Sequence, residues 1–209
     1  MKGMEQRCHR IKICGLMTTE DARVVNEAKA DFAGMVFADT RRKVSRQRAE
    51  EIRKTLDEKI PAVGVFVNED PNVIRELAEH GIINMIQLHG DETPERIIYL
   101  KETTGLPVIK AFRIRDRDDL ASIRTFPADY FLFDTYVEGS YGGTGQTFDW
   151  TCLQDVDRPY FLAGGLRMDN IADAMRTPAY ALDISSGVET SGKKDREKIL
   201  AVTKRVHAK

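Results

Sequence analysis

The run Ala62-Val63-Gly64-Val65-Phe66-Val67 carries no polar side chain and shows no alternation of apolar and polar residues. Such a run is typical of a strand in a parallel sheet, because helices cover both faces of that sheet. Seven further short, mostly apolar runs lie along the chain, so that eight strands are predicted. They span residues 10–14, 32–37, 62–67, 85–88, 107–112, 130–134, 159–163 and 181–184.

The segments between the predicted strands carry apolar residues at helical spacing. Asp70 and Thr93 each precede a proline, which predicts a helix N-cap followed by proline at the first helical position. Ser45 is a third predicted N-cap. The apolar stripes of the helices are Ala22, Val25 and Ala28; Ala49, Ile52 and Leu56; Ile74, Leu77 and Ala78; Ile97 and Ile98; Leu120 and Ile123; Ile171, Ala174 and Met175; and Ile199, Val202 and Val206.

Eight strand–helix alternations in 209 residues predict an α/β fold, the (β/α)₈ or TIM barrel, as a single compact domain over residues 1–209. A doubly wound open sheet is the alternative, because alternation alone does not distinguish a closed sheet from an open one. In a barrel the chemistry takes place at the C-terminal ends of the strands. The residues that follow each strand are therefore the candidates for a functional site.

Composition and charge narrow the class of protein. The net charge is −1, which gives no general attraction to nucleic acid or to an anionic membrane. No apolar stretch approaches the roughly 18 residues that span a bilayer, and residues 1–10 lack a signal-peptide core, so we expect a cytoplasmic protein. The cysteines Cys8, Cys14 and Cys152 form no CxxC pair, which argues against a disulfide framework and against a zinc site.

A thiol and a carboxyl group end two of the predicted strands. Cys14 ends the first strand before Gly15, and Asp134 ends the sixth strand before a loop with four glycines within residues 135–145. A free cysteine is more often a small buried hydrophobe, and an aspartate there is often only a helix cap. However, no helix pattern begins after Asp134, and long loops in compact domains are usually functional. The two side chains therefore predict an acid–base pair.

Small and cationic residues follow other strands. Gly164-Gly165 after strand 7 and Ser185-Ser186-Gly187 after strand 8 predict a phosphate site, since these loops of a barrel commonly bind phosphate through backbone N–H groups. The run 41–43 is either a solvated charge run or the source of one guanidinium that binds a carboxylate. His89 after strand 4 is either a substrate ligand or a structural group. We expect His9, His80 and His207 at the surface.

These stretches resemble the phosphoribosylanthranilate isomerases of the tryptophan pathway. The matching segments occur in family order over nearly the whole chain. They are Lys12-Ile13-Cys14-Gly15, Val63-Gly64-Val65-Phe66-Val67-Asn68, Ile86-Gln87-Leu88-His89-Gly90, Gly142-Gly143-Thr144-Gly145, Phe148-Asp149-Trp150, Ala163-Gly164-Gly165-Leu166 and Asp183-Ile184-Ser185-Ser186-Gly187-Val188-Glu189.

The resemblance implies an Amadori rearrangement of a small phosphorylated substrate without a cofactor or a metal. It implies Cys14 as general base, Asp134 as general acid and Arg42 as the group that faces the anthranilate carboxylate. Base and acid then require a lowered thiol pKa and a raised carboxyl pKa. His89 and Asp183 are predicted to bind substrate, Asp183 as a hydrogen-bonding group. The residues predicted to bind phosphate are Gly143, Gly164, Gly165, Ser186 and Gly187. We expect no nucleic acid or membrane partner, and a monomer or a homodimer.

Two alternatives remain at the level of sequence. The histidine-pathway Amadori enzyme uses two aspartates and a two-fold repeated sequence, whereas this chain has Cys14 and no half-chain repeat. A barrel that binds phosphorylated metabolites without turnover would have lost its acid or its base, and both are present. The chain departs from the family pattern in its loops, where it lacks prolines after strand 6 and directly before Gly192-Lys193-Lys194-Asp195.

Overall fold

A computed structural model of the chain describes residues 9–114, 120, 123–134 and 150–208. Eight parallel strands pair in chain order, and pairing of the first with the eighth closes the barrel. The predicted barrel is therefore confirmed and the open sheet is wrong. The strands are β1 (Arg10–Cys14), β2 (Phe32–Val36), β3 (Ala62–Phe66), β4 (Met85–Leu88), β5 (Val108–Arg113), β6 (Tyr130–Asp134), β7 (Tyr160–Ala163) and β8 (Ala181–Ile184).

Helices surround the barrel, and their N-termini follow the predicted pattern. Ser45 Oγ accepts from the Arg48 amide, Asp70 Oδ1 from the Asn72 amide and Thr93 Oγ1 from the Arg96 amide. The predicted helix around Leu120 and Ile123 falls mostly outside the described residues. The helices are α1 (Thr19–Ala28), α2 (Arg46–Thr55), α3 (Pro71–Glu79), α4 (Pro94–Thr104), α5 (Ile171–Ala174) and α6 (Arg196–His207), with 3-10 helices at Trp150–Asp155 and Ser186–Val188.

Alternation of side chains along each strand divides the core into two parts. Residues that point outward, such as Ile11 and Ile13, pack in a large cluster with the helices. Residues that point inward form a second apolar cluster that includes Phe32 and Phe161, whose rings meet edge to face at 5.3 Å. Polar side chains lie in the barrel nearer to the C-terminal ends of the strands. Among them are Lys12, Gln87 and Asp183, which are all buried. The interior therefore changes from apolar to charged toward the C-terminal ends of the strands.

One histidine lies differently from the expectation. His9 is buried rather than at the surface, and its Nε2 lies 3.1 Å from the Thr177 carbonyl oxygen. The reason is that His9, directly before β1, packs against the segment that leads into β8. Among the described residues, no helix combines the length and the apolar character that crossing a membrane requires.

A buried ion pair holds the loop that follows β4. Lys110 Nζ lies 3.0 Å from Glu92 Oε2 and donates to the Gly90 carbonyl oxygen at 2.6 Å. Glu92 also accepts from the Asn68 and Gly90 amides. Burial acts to raise the pKa of Glu92, but the hydrogen bonds from Asn68 and Lys110 outweigh it and bring the pKa below its ordinary value. The loop carrying His89 is thereby fixed to β5 and to the loop after β3.

We expect Lys110→Met to destabilise the fold by about 3 to 5 kcal/mol, because it leaves the Glu92 carboxylate buried without its counter-ion. Urea unfolding at pH 7 measures the loss. The double variant Lys110→Met, Glu92→Gln is the control and should recover part of it. Since the folded-state pKa of Glu92 is lowered, the wild-type advantage should be full above the unfolded pKa of about 4.3 and decline as the pH falls below it. An equally stable Lys110→Met variant at pH 7 would contradict the assignment.

Candidate active site

The predicted site residues meet at one cavity of about 440 Å³ at the C-terminal ends of the strands. Of the predicted positions, Gly143 lies outside the described residues, and Gly187 does not line this cavity. The predicted residues that line it are Cys14, Arg42, His89, Asp134, Gly164, Gly165, Asp183 and Ser186.

The loops after β7 and β8 approach each other closely. A Cβ atom at Gly187 would lie 1.9 Å from the Leu166 carbonyl oxygen, so only glycine allows this approach. Gly164 and Gly165 have φ angles of 92° and 64°, in the left-handed region that favours glycine. Gly187 therefore brings the two loops together, while Gly164 and Gly165, which have no side chain, line the cavity together with Ser186. Phosphate binding by these residues stays a prediction.

A lysine that the sequence analysis did not single out accompanies Cys14. Lys12 is fully buried, and its Nζ lies 2.9 Å from Asp183 Oδ2. A Cβ atom at Gly34 would lie 2.8 Å from Cys14 Sγ and 3.2 Å from Lys12 Nζ, so the thiol and the ammonium group occupy neighbouring space above Gly34. The signal was available, because residues two apart in a strand point to the same side and Cys14 was predicted as a catalytic residue at the end of this strand.

The electrostatic interactions among Lys12, Asp183 and Cys14 favour the charged form of the lysine. Burial acts to lower the pKa of Lys12, but the charges of Asp183 and Cys14 outweigh it and raise the pKa above its ordinary value. Lys12 is therefore an ammonium ion in contact with two groups that carry negative charge when ionised. Asp183 contributes as a hydrogen-bonding and charge partner.

The thiol pKa moves in the direction opposite to the expectation. Burial raises the pKa of Cys14, and the positive charges of Lys12 and Lys194 oppose this rise without cancelling it. The expectation of a lowered thiol pKa is therefore wrong, because desolvation of the thiolate exceeds the attraction of the nearby cations. Lys12 limits the increase, and a thiolate of raised pKa is the stronger base when it forms.

Asp134 has a histidine beside it. His89 Nε2 lies 3.4 Å from Asp134 Oδ2, and Gln87 Nε2 lies 3.1 Å from His89 Nδ1. Because the amide nitrogen of Gln87 donates, Nδ1 accepts and the ring proton is on Nε2, facing Asp134. His89 is thus oriented to stabilise the carboxylate that Asp134 leaves after giving up a proton. The sequence alone did not identify a partner for His89.

Arg42 extends from the loop after β2 across Gly15 to the segment after β8. Its Nε lies 2.7 Å from Glu189 Oε1 and its Nη2 lies 3.1 Å from Glu189 Oε2. Arg41 also contacts Glu189, but its side chain is 56% exposed, whereas that of Arg42 is 20% exposed. Only Arg42 of the two lines the cavity. The structure therefore places Arg42, rather than Arg41, where a ligand carboxylate could reach it.

The arrangement suits acid–base chemistry on an anionic ligand. A carboxyl group with its histidine opens into the cavity from β6, and a thiol beside an ammonium group opens from β1. A guanidinium group and two glycine-containing loops complete the described wall. Within residues 9–114, 120, 123–134 and 150–208, no three His, Cys, Asp or Glu side chains are grouped as metal ligands.

Comparisons with known proteins agree on one family. Residues 11–205 match the family model for N-(5′-phosphoribosyl)anthranilate (PRA) isomerase. The N-(5′-phosphoribosyl)anthranilate isomerase of Endomicrobium trichonymphae is 47% identical over 196 residues, which cover 93% of this chain and 96% of that protein.

Solved structures give the same result. The crystal structure of phosphoribosyl anthranilate isomerase from Thermotoga maritima matches with a TM-score of 0.83 and 37% identity, covering 95% of this chain and 98% of that one. A second phosphoribosyl anthranilate isomerase, crystallised with reduced 1-(o-carboxyphenylamino)-1-deoxyribulose 5-phosphate, matches with a TM-score of 0.81 and 34% identity, with the same coverage.

We expect Lys12→Met to raise the pKa of the Cys14 thiol further, because the variant removes the nearest cation from the thiolate. The pH dependence of alkylation by iodoacetamide, measured with Cys8 and Cys152 replaced by serine, should move to higher pH. At pH 8 the rate should fall by roughly tenfold. Lys193→Met, which removes an exposed lysine, is the control and should leave the profile in place. An unchanged profile in Lys12→Met would show that Lys12 does not act on the thiol.

Proposed function

Since this chain belongs to the N-(5′-phosphoribosyl)anthranilate isomerase family and is an isomerase of tryptophan biosynthesis, we propose that Cys14 and Asp134 are its general base and general acid. The observation that carries this assignment is that both side chains line one cavity, from strands three places apart around the barrel. The thiol has an ammonium neighbour and the carboxyl group has an imidazole neighbour. The ammonium group faces the thiolate that Cys14 forms before it takes a proton, and the imidazole faces the carboxylate that Asp134 leaves after it gives one.

The reaction converts N-(5′-phosphoribosyl)anthranilate into 1-(2-carboxyphenylamino)-1-deoxyribulose 5-phosphate. Asp134 gives its proton to the furanose ring oxygen while the bond between C1′ and that oxygen breaks. The nitrogen lone pair forms the Schiff base, and Asp134 is left as a carboxylate facing His89 Nε2. The carboxylate is therefore stabilised where it forms.

The second step moves a proton from carbon. The C2′ proton of the Schiff base is acidic, because its electrons pass into the C=N bond when it leaves. Cys14 removes this proton as a thiolate, with Lys12 stabilising the thiolate before it reacts, and an enolamine forms. Tautomerisation of the enolamine, with a proton returning to C1′, gives the ketone. Only protons move, so no cofactor enters the proposal.

Binding of the substrate rests on two parts of the cavity. We assign the anthranilate carboxylate to Arg42, and the phosphate to the backbone of Gly164, Gly165 and Ser186. The related isomerase was crystallised with the reduced product, a ligand that carries a carboxylate at one end and a phosphate at the other, so a site of this kind needs a partner for each end. A cytoplasmic location and a monomer or homodimer stay predictions.

We expect Asp134→Asn to lower kcat by about 10²- to 10⁴-fold while KM changes little, because the amide cannot protonate the ring oxygen. The measurement is the loss of anthranilate-type fluorescence when the substrate is generated in situ and mixed with the enzyme. Affinity for the reduced product serves as the control for an intact site. Turnover close to that of the wild type would remove Asp134 from the acid role.

Cys14→Ala should lower kcat by a similar factor, because no other group is assigned to take the C2′ proton. The same fluorescence assay measures it, together with thermal unfolding to confirm the fold. A Cys14→Ala variant that turns over normally would require a different base, whereas a wild-type chain without turnover would contradict the function itself.

A further inference from the structure

A short hairpin follows the phosphate-binding loop of β8. Its strands, β9 (Glu189–Thr190) and β10 (Lys193–Lys194), pair antiparallel with Glu189 opposite Lys194. The two turn residues, Ser191 and Gly192, both have positive φ angles, 51° and 77°. A two-residue turn of this kind matches the natural twist of a hairpin, so the register of the pair is well defined. The hairpin therefore places the Glu189 carboxylate at a fixed position beside the cavity.

Cations surround the Glu189 carboxylate. Lys194 Nζ lies 3.0 Å from Oε1 and also donates to the Ser185 carbonyl oxygen. Arg42 contacts both carboxylate oxygens, and Arg41 contacts Oε2 at 2.7 Å. The Glu189 side chain is only 4% exposed, and its pKa is lowered to about 2, because hydrogen bonds from Arg42 and Lys194 outweigh the effect of burial. Glu189 is therefore an anion at every pH at which the protein is expected to work.

The geometry leaves one edge of the Arg42 guanidinium for a ligand. Glu189 occupies Nε and one proton of Nη2. Among the described residues, no hydrogen bond engages Nη1. A guanidinium group has five N–H donors in a rigid plane, so the Nη1/Nη2 edge can still bind a second carboxylate in bidentate fashion. The Arg42 side chain also lies directly against the backbone of Gly15, where a Cβ atom would lie only 2.5 Å from Arg42 Cδ.

We propose that Glu189 is a positioning residue that holds Arg42 ready for the substrate carboxylate and thereby sets the specificity of the enzyme for a carboxylated aryl group. This inference rests on the proposed function, in which Arg42 binds that carboxylate. An arginine side chain has many rotamers, and their loss weakens binding unless the side chain is already ordered. Buried ion clusters contribute little to stability once their desolvation is counted, which agrees with a role in positioning.

If Glu189 acted only through its charge, its removal would have the opposite effect on ligand binding from the effect that positioning predicts. Three cations and one carboxylate leave this cluster with a net charge of +2. Removal of the carboxylate would raise it to +3 and would strengthen the binding of any anion. Positioning predicts weaker binding of the carboxylated ligand after the same change. The sign of the effect therefore separates the two roles.

The test compares two probes on the purified full chain. The first is the reduced product, and the second is its phenylamino counterpart without the carboxyl group. Calorimetry gives the two Kd values. Their ratio, the Kd of the probe without the carboxyl group divided by the Kd of the reduced product, measures the preference for the carboxylated ligand. In Glu189→Gln we expect the ratio to decrease by about 3- to 10-fold relative to the wild type, as loss of one preordered side chain implies. The Kd of the probe without the carboxyl group should change by less than about twofold. In turnover, KM should rise while kcat stays within about twofold.

Two further variants make the result decisive. Glu189→Asp keeps the charge but not the reach, so it should lower the ratio as Glu189→Gln does, and it serves as the second variant if the first folds poorly. Arg41→Gln removes an exposed cation from the same carboxylate and should leave the ratio unchanged. Tighter binding of the reduced product by Glu189→Gln would overturn the proposal, and so would equal weakening of both probes. Because binding is measured without turnover, a wild-type chain that lacks turnover would contradict the proposed function and not the role of Glu189.

Discussion

The pairing of β1 with β8 is the constraint on which the rest of the structure depends. It closes the sheet and sets Lys12 directly opposite Asp183 in the strand register. Burial of an ammonium group costs free energy unless a counter-ion offsets the loss of hydration. This pairing supplies the Asp183 carboxylate as the counter-ion of Lys12. The same pairing brings Ser185 to Cys14, where Ser185 Oγ donates to the Cys14 carbonyl oxygen at 3.0 Å. The pairing that closes the barrel therefore also assembles the part of the site around Lys12, Cys14 and Asp183.

The site separates its charges across the cavity. Cations gather near β1, β2 and β8, where Lys12, Arg42 and Lys194 lie close to Cys14 or to the loop after β8. Asp134 and His89 lie on the far side, at the ends of β6 and β4. In the proposed binding mode this division orients an anionic substrate, since its carboxylate and phosphate are drawn to one side and its ring oxygen faces the acid. The raised thiol pKa follows from the same burial that strengthens these interactions.

Stability and function share the loops at this end of the barrel. The buried Lys110–Glu92 pair fixes the loop that carries His89, and the hairpin after β8 fixes the carboxylate that holds Arg42. In both places a buried ion cluster orders a side chain that faces the cavity. Such clusters gain little stability in themselves, so their effect is on geometry, and geometry decides whether binding and proton transfer succeed.

The order of the eight strands, their bounds to within one residue, and the N-caps at Ser45, Asp70 and Thr93 follow from the sequence alone, because these depend on local periodicity and local hydrogen bonds. The motifs also identified Cys14, Asp134 and Arg42 as candidates. Tertiary structure decided barrel closure, the pairing of Lys12 with Asp183 and that of Arg42 with Glu189, because the partners are 171 and 147 residues apart. It also decided the direction of the thiol pKa, since burial and the distances to cations exist only in the folded chain.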